Sequence, residues 1–336
     1  MKQVLGIWKG ALVMLRAVSV KETFGQTLVE LGEIDPRIVV LDADLMKVSG
    51  THLFLEKYPE RHFQIGIAES NMVGIAAGLA AMGKVPFLST FANFAARRAC
   101  DQAAMAVAYN RFNVKICGDY AGLTADVNGA THISVEDIAI YRSMPNMIVI
   151  VPGDCIELKQ AIRVIAEYDG PVYLRKAKGP LYNIFPADYE FVIGKAVVIK
   201  QGFDVSLITT GITTWEGRKA CEILKAQGIN VRHIHMPTIK PIDKEEILRA
   251  AKETGAIITV ENHSRLGGLG SAVTEVVCDE YPVPVVRLGI NDSFGETATL
   301  EWLMDKFEIN ADHIVNNVKN VIKKRKTSLL YEKGGD

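Results

Sequence analysis

The segment "FQIGIAESNMVGIAAGLAAMG" (residues 63–83) is almost entirely small and apolar, yet one carboxylate, Glu69, lies within it. The residues before Glu69 have the composition of a short buried strand, and those after it have that of a helix. Glu69 is therefore predicted to open the helix, where the helix dipole and free N–H groups favour an anion. Gly66, Gly74 and Gly78 would let other backbone approach closely. Such a Glu either stabilises its own helix or, beside a ligand, shares a proton with a ring nitrogen.

The same alternation of short apolar runs and helical patterns extends through the first half of the chain and predicts a parallel α/β fold. The predicted strands are "RIVVLDA" (37–43), "FQIGI" (63–67), "VPFLST" (85–90), "NVKICGD" (113–119), "MIVIVPG" (147–153) and "PVYLRK" (171–176). The predicted helices are "VKETFGQTLVELGEI", "SNMVGIAAGLAAMG", "AARRACDQAAMAVAYN" and "DCIELKQAIRVIAEY".

A second α/β unit is predicted after residue 188, because the stretch 188–202 carries no helical period and the alternation then resumes. The domains are predicted at 15–187 and 188–325, the second being a three-layer α/β domain. Gly228 and Gly255 fall where helix C-caps are expected.

Charge and cysteine usage exclude several classes of protein. The 336-residue chain has a net charge of −1 and no basic stripe, so neither a nucleic acid nor a membrane surface is expected as a partner. The sequence contains no run of 18 apolar residues, so no membrane span is predicted. Five cysteines without a CxxC pair indicate reduced thiols and a cytoplasmic location. The N-terminal residues 1–20 are interpreted as a lead-in segment rather than a signal peptide, and Met14 is an alternative start.

Two further segments carry candidate site residues. In "STFANFAARRA" (89–99), Phe91 and Phe94 are three positions apart and share a face if the segment is helical. They form either part of the core or a wall for a flat heteroaromatic ring. The Gly-rich segment 118–137, "GDYAGLTADVNGATHISVED", joins a strand to a helix and contains His132. Ligands bind at such loops, so His132 is either an acid/base or hydroxyl contact or a structural histidine.

The order of "GIAESNMVGIAAGLA", "TFANFAARR" and "GLTADVNGATH", with "VENHSRLGGLGSAV" (260–273) further on, resembles the pyrimidine-binding and C-terminal domains of transketolases. The resemblance covers roughly residues 15–325. It implies the thiamine-diphosphate-binding fold, with helices on both faces of a parallel sheet, followed by a transketolase C-terminal domain. The chain resembles the C-terminal subunit of a split, two-chain transketolase.

The resemblance assigns roles to several residues. Glu69 matches the Glu that binds N1′ of the thiamine aminopyrimidine and promotes the imino tautomer, whose nitrogen takes the proton from thiazolium C2. Phe91 and Phe94 match the aromatic residues packed on the pyrimidine ring. His132 matches a His that contacts the sugar's hydroxyl or carbonyl oxygen. Asp44, in "LDADL", matches a carboxylate near the thiazolium and substrate. The alternative interpretation of Asp44 is a polar residue that caps the end of a strand.

Some positions depart from the family pattern. Arg97 stands where a third aromatic residue often packs on the cofactor. Asn128 replaces an Asp that reads a substrate hydroxyl, and Tyr120 falls near a His that contacts the distal phosphate. Arg175 and Lys178, in "LRKAKGP", could bind a phosphate or other anion, or form strand-end salt bridges.

Part of the expected site has no match. The family holds Mg²⁺ and the diphosphate with GDG and a downstream Asn, but this chain has only "GDY" (118–120) and "GDC" (153–155). "RLGGLG" (265–270) mimics a phosphate loop and is interpreted as a structural turn. "HIH" (233–235) lacks an adjoining ligand, so no metal site is predicted. The resemblance therefore implies an N-terminal partner subunit that holds the metal, in an α2β2 assembly acting on phosphorylated sugars.

Several functions remain open at this level. The leading hypothesis is transfer of a two-carbon glycolaldehyde unit from a ketose to an aldose. The alternatives are a subunit like 1-deoxyxylulose-5-phosphate synthase, a subunit like the beta chain of 2-oxo acid dehydrogenases, a non-catalytic assembly subunit, and a flavodoxin-like binding module. Branched or sulfonated ketoses are alternative substrates, because Asn128 and Tyr120 differ from the residues that the family usually has at these positions.

Overall fold

The computed structural model describes residues 4–8, 11–15 and 17–333, with side chains described for 17–323. The other residues of the predicted lead-in segment lie outside this description. The strands are β1 (Val4–Trp8), β2 (Ala11–Leu15), β3 (Ala17–Ser19), β4 (Ile38–Asp42), β5 (His62–Gln64), β6 (Val85–Phe91), β7 (Lys115–Asp119), β8 (Ile148–Ile150), β9 (Val172–Arg175), β10 (Pro180–Tyr182), β11 (Val197–Lys200), β12 (Val205–Thr209), β13 (Val231–His235), β14 (Thr238–Lys240), β15 (Ile257–Ser264) and β16 (Val285–Ile290).

The helices follow the predicted alternation. They are α1 (Val20–Ile34), α2 (Met46–Ser49), α3 (His52–Lys57), α4 (Glu69–Ala81), α5 (Ala92–Arg97), α6 (Cys100–Gln102), α7 (Asp137–Ser143), α8 (Cys155–Glu167), α9 (Thr213–Ala226), α10 (Lys244–Thr254), α11 (Leu269–Glu280), α12 (Leu300–Lys306) and α13 (Ala311–Lys333). No helix in the described part of the chain is both long and apolar enough to span a membrane.

The larger sheet has the order β14-β8-β9-β7-β6-β4-β5, and all its strands except β14 run parallel. Successive residues of β4 enter different cores: Ile38 and Val40 pack with α1 and α8, whereas Val39 and Leu41 pack with α4. Both faces are therefore covered by helices, as expected for a parallel sheet of continuous apolar strands. The predicted α/β architecture is confirmed.

The second sheet has the order β11-β13-β12-β15-β16, with β11 antiparallel and the other strands parallel. On β12, Leu207 enters the core with α9 and α13, whereas Ile208 enters the core with α10 and α11. Gly255 ends α10 with φ of 66°, and Gly228 follows α9 with φ of 76°, so both predicted glycine caps are in the left-handed region. This is the predicted three-layer α/β unit.

Two features differ from the sequence prediction. The expected single helix over "AARRACDQAAMAVAYN" is divided into α5, α6 and a π-helical turn, Ala103–Ala108. Strand β14, from the second half of the chain, adds antiparallel to β8 of the first sheet. The two units are thereby joined by backbone hydrogen bonds, which a pattern of local hydrophobicity does not encode.

Buried polar networks also join the two units. His235 Nε2 lies 2.7 Å from Glu157 Oε2, and Tyr189 donates to the other oxygen of Glu157 at 2.6 Å. His233, the other imidazole of "HIH", has Nε2 2.9 Å from the Thr209 hydroxyl. His235 therefore stabilises the contact between the two units, and His233 stabilises the packing within the second unit. No group of three or more metal-ligating side chains occurs among the residues that the structure describes.

Candidate active site

Glu69 is the first residue of α4, which a short loop (65–68) joins to β5, at the carboxyl edge of the larger sheet. The preceding Ala68 provides no side-chain cap, and only 4% of the Glu69 surface is exposed. Its Oε1 accepts a hydrogen bond of 2.8 Å from Arg98 Nη1. The predicted position is confirmed, and the buried charge is compensated by a cation that the sequence analysis did not identify.

An aromatic wall lies beside this ion pair. Phe91 ends β6, and Phe94 lies in α5 with its ring centroid 5.6 Å from that of Phe91 in an edge-on arrangement. The Arg98 guanidinium lies 3.8 Å from the Phe94 centroid. The two rings contact each other, but Phe91 ends a strand and does not lie on the helix whose face the two were predicted to share. One cation links Glu69 to the wall.

His132 completes this cluster. Its ring centroid lies 5.2 Å from that of Phe91 and 5.1 Å from that of Phe94. Nδ1 is 2.9 Å from the Thr131 hydroxyl, while Asn93 donates a hydrogen bond to the Thr131 carbonyl at 2.6 Å. The turn that carries His132 is thus fixed to α5, and Nε2 is the ring nitrogen left for a ligand.

Tyr120 extends the cluster on the other side of Phe91, at 5.2 Å between centroids. Lys178 Nζ lies 5.2 Å from the Tyr120 ring and forms an ion pair of 2.7 Å with Asp126. Burial, with the nearby carboxylates of Asp119 and Asp126, raises the pKa of Tyr120, so its hydroxyl remains a hydrogen-bond donor at neutral pH. Asn128 is exposed in the same loop.

Asp44 lies at the end of β4 in a left-handed conformation, with φ of 62°. This conformation is supported by Asp42, whose carboxylate accepts from the hydroxyls of Ser49 at 3.0 Å and Thr51 at 2.9 Å. The Asp44 amide donates to Gln64 Oε1 at 2.7 Å. Asp42 therefore acts as the buried structural acid of "LDADL" and leaves Asp44 exposed at the sheet edge.

Two predicted cations are engaged elsewhere. Arg175 is buried, and its Nε lies 2.7 Å from Asp137 Oδ2, while its Nη2 donates to the Asn262 carbonyl at 2.9 Å. Arg175 is therefore no longer a candidate substrate ligand, because its guanidinium binds groups of both units and holds them together. Arg97 forms an ion pair with Glu136, not a contact with the aromatic wall.

Comparison with known families agrees with this geometry. The description "Transketolase, pyrimidine binding domain" matches residues 16–182, and "Transketolase, C-terminal domain" matches residues 194–314. The chain belongs to the transketolase family. Members of this family are transferases that depend on thiamine diphosphate.

Two relatives of this transketolase chain are themselves subunits. The chain is 44% identical to the 6-deoxy-6-sulfo-D-fructose transketolase subunit of Clostridium sp. (strain MSTE9), over 91% of this chain and 95% of the relative. It is 38% identical to a subunit of the apulose-4-phosphate transketolase of Phocaeicola vulgatus, over 82% of this chain and 88% of the relative.

A solved structure described as a split gene transketolase, inactive beta4 tetramer, matches with a TM-score of 0.86 and 43% identity, covering 91% of this chain and 99% of that one. These matches confirm the predicted resemblance to the C-terminal subunit of a two-chain transketolase.

The glycine-rich segment of this transketolase chain is structural. The Glu261 carboxylate accepts from the backbone N–H groups of Leu269 at 2.7 Å and Gly270 at 2.8 Å, at the start of α11. A side chain of the protein itself thus fills the place of an anion. Burial raises the pKa of Glu261 to about 7.

Arg98 is the functional candidate that the sequence analysis missed. Arg98 directly follows α5 in helical conformation and lies four positions after Phe94, so these two side chains meet on one face of the helix. Arg97 falls away from that face. The spacing of four residues from Phe94 therefore favoured the second of the two arginines.

Proposed function

We propose that this chain is the catalytic C-terminal subunit of a two-chain transketolase that transfers a two-carbon glycolaldehyde unit from an anionic ketose to an aldose. The observation that carries the proposal is the buried carboxylate of Glu69 beside an aromatic wall shared with His132. We expect the enzyme to act in the cytoplasm, because its five cysteines are all free thiols.

The residues present fit the aminopyrimidine end of thiamine diphosphate. Glu69 offers a carboxylate whose Oε1 is held by Arg98, and Phe91 and Phe94 offer ring surface for a flat heterocycle. When bound, the cofactor supplies the nucleophilic carbon and the electron sink of the reaction. Glu69 would hold and move the proton at the pyrimidine N1′ position, because a buried acid exchanges protons with its ligand rather than with bulk water.

His132 and Lys178 are the candidate substrate contacts. His132 presents Nε2 beside the wall and can hold a proton at a sugar oxygen. Lys178, with a side chain that is 30% exposed, lies next to Tyr120 and can contact an anionic tail. The substrates named for the two relatives carry a sulfonate and a phosphate group, which supports an anionic ketose. Asp44 and Asn128 remain candidates for hydroxyl contacts.

The divalent cation, expected to be Mg²⁺, and the diphosphate are assigned to an N-terminal partner subunit. Mg²⁺ prefers carboxylate, amide and phosphate oxygens, and the family's GDG motif has no match in this sequence. The relatives are named as subunits, which supports a partner for this chain. A site completed across an interface favours a symmetric assembly, and we propose α2β2.

The surface around α4 supports docking of that partner. Ile67, Ile75 and Met82 on or beside α4 are 72%, 36% and 82% exposed, and Met105 and Tyr109 at the adjacent π-helical turn are 56% and 74% exposed. Contiguous exposed apolar side chains of this size mark interaction surfaces. Because α4 begins with Glu69, a partner docked here would also cover the candidate active site.

The first test is calorimetric titration of thiamine diphosphate with Mg²⁺ into the chain alone and into the chain mixed with the N-terminal subunit from the same organism. We expect binding only in the mixture. Tight binding to the chain alone would contradict the shared site, and no binding in the mixture would favour a non-catalytic subunit.

The second test is Glu69→Gln, which retains the shape of the side chain but cannot move a proton. We expect turnover of sulfonated or phosphorylated ketoses by the assembled enzyme to fall by at least about 100-fold. Glu30→Gln, a surface change on α1 paired with Lys159, is the matched control. Unchanged turnover in Glu69→Gln would exclude the catalytic role.

A further inference from the structure

A basic cavity of about 350 Å³ lies in the C-terminal unit, away from the residues of the candidate active site. Arg265 follows β15, Arg287 lies in β16, and Lys306 ends α12, so three cations from three elements line one space. Glu308 is the carboxylate among the lining residues. Lys306 is paired with Glu296, so Arg265 and Arg287 are the lining cations that form no ion pair among the described residues.

The two guanidinium groups have no carboxylate in direct contact in the described part of the chain, and Arg287 acts on the buried Glu261 only through space. Arg287 Nη1 donates to the Arg265 carbonyl at 3.1 Å and to the Ser271 hydroxyl at 3.4 Å, and these two hydrogen bonds fix its position. Neither Arg265 nor Arg287 forms an ion pair with a carboxylate among residues 17–323, for which side chains are described. Like charges gathered in a concave site repel each other unless an anion joins them.

The shape and donors of the cavity define the anion. Its volume lies at the lower end of the roughly 300–1,000 Å³ of small-molecule sites. Arginine forks match the oxygens of phosphate in a bidentate manner, and an anion placed between the two guanidinium groups would relieve their repulsion. Asn291 and Ser293 add neutral hydrogen-bonding groups to the lining. We propose that this cavity binds a phosphate group, either free phosphate or that of a small phosphate monoester, at a site separate from the active site.

The wall of the cavity continues towards the His132 turn. A Cβ placed on Gly295 would lie 2.5 Å from Ile133 Cγ2, and one on Gly129 would lie 2.5 Å from the Thr297 hydroxyl. The segment after Ser293 is thus packed against the turn on both sides of His132 without space for a methyl group. A ligand that orders this segment would also affect the position of His132.

The test is calorimetric titration of inorganic phosphate and of glycerol 3-phosphate into the full-length chain. Glycerol 3-phosphate has no carbonyl group and so cannot be a ketose donor. We expect saturable one-to-one binding that is weakened at least about tenfold in Arg265→Gln and partly restored in Arg265→Lys. Tighter binding of glycerol 3-phosphate assigns the site to a monoester, whereas tighter or equal binding of inorganic phosphate assigns it to the free ion.

Two control variants separate this site from other cations. Arg249→Gln removes a surface charge paired with Glu246 in the same unit and should leave the affinity unchanged. Lys178→Gln, in the candidate active site, should also leave it unchanged. The proposal is overturned if no saturable binding occurs, or if Arg265→Gln binds phosphate and glycerol 3-phosphate as tightly as the native chain. Neither result bears on the transferase assignment, which depends on Glu69.

Discussion

Arg98 Nη1 lies 2.8 Å from Glu69 Oε1, and the same guanidinium lies 3.8 Å from the centre of the Phe94 ring. The Glu69 side chain is 4% exposed and that of Arg98 is 47% exposed, so the acid is buried and its partner reaches it from the solvent side. Arg98 is therefore a positioning residue, since it orients one carboxylate oxygen of Glu69.

Arg98→Gln should lower the free energy of unfolding of the isolated chain by about 1–3 kcal/mol, because it leaves the buried Glu69 oxygen without its charged partner. The neighbouring Arg97→Gln should cost only about 0–1 kcal/mol, since Arg97 and Glu136 are paired near the surface. Urea unfolding of both variants measures the difference. Equal losses would show that the Glu69–Arg98 pair contributes no more than a surface ion pair.

The sequence predicted the parts of this site that are set by local periodicity. Glu69 at the start of a helix follows from the pattern alone and is observed. Phe91 and Phe94 contact each other as expected, but Phe91 ends a strand, so their contact arises at a strand–helix junction and not on one helical face. The position of His132 against the wall depended on the family resemblance, because a Gly-rich loop has no period from which contacts can be inferred.

The sequence could not indicate contacts between distant segments. For Arg175 the sequence offered a strand-end salt bridge as one alternative, and that bridge is observed with Asp137. The sequence did not indicate that Arg175 is buried or that it donates to the Asn262 carbonyl, 87 residues away. The addition of β14 to the first sheet is similar, since its three residues carry no pattern that names their partner. Such pairings follow from the packing of whole units, which no local window contains.

Ile75→Lys should weaken association with the N-terminal subunit without unfolding the chain. Ile75 is 36% exposed on α4, and a buried lysine charge at an interface is costly. Ile223→Lys is the matched control, because Ile223 is 37% exposed on α9 of the C-terminal unit. Sedimentation of the mixed subunits measures complex formation. If both variants assemble normally, the α4 surface is not the docking site.

His132→Asn should lower kcat/KM of the assembled enzyme by about 100-fold or more while leaving the affinity for thiamine diphosphate unchanged. The reason is that Nδ1 is engaged by Thr131, so Nε2 is the nitrogen that we propose contacts the substrate, while Glu69 is the acid proposed for the cofactor. His313→Asn, on the surface of α13, is the control. A parallel loss of cofactor affinity would instead mean that His132 supports the aromatic wall.

The free energy of unfolding should fall as the pH is lowered through the weakly acidic range, and His233 should contribute strongly. Burial lowers the pKa of His233 from 6.5 to about 3, so the folded chain keeps it neutral while the unfolded chain binds a proton below about pH 6.5. Because the unfolded state then holds more protons, stability is present above that pH and is lost as the pH falls towards 3.

The expected loss from this one group is roughly 3 kcal/mol between about pH 6.5 and about pH 4, since one pKa unit corresponds to about 1.4 kcal/mol. His233→Gln keeps a hydrogen-bonding group near the Thr209 hydroxyl but cannot titrate. Urea unfolding at several pH values should therefore give a smaller slope for His233→Gln than for the native chain, and an unchanged slope for His313→Gln. If His233→Gln retains the native slope, other buried groups dominate the acid sensitivity of the fold.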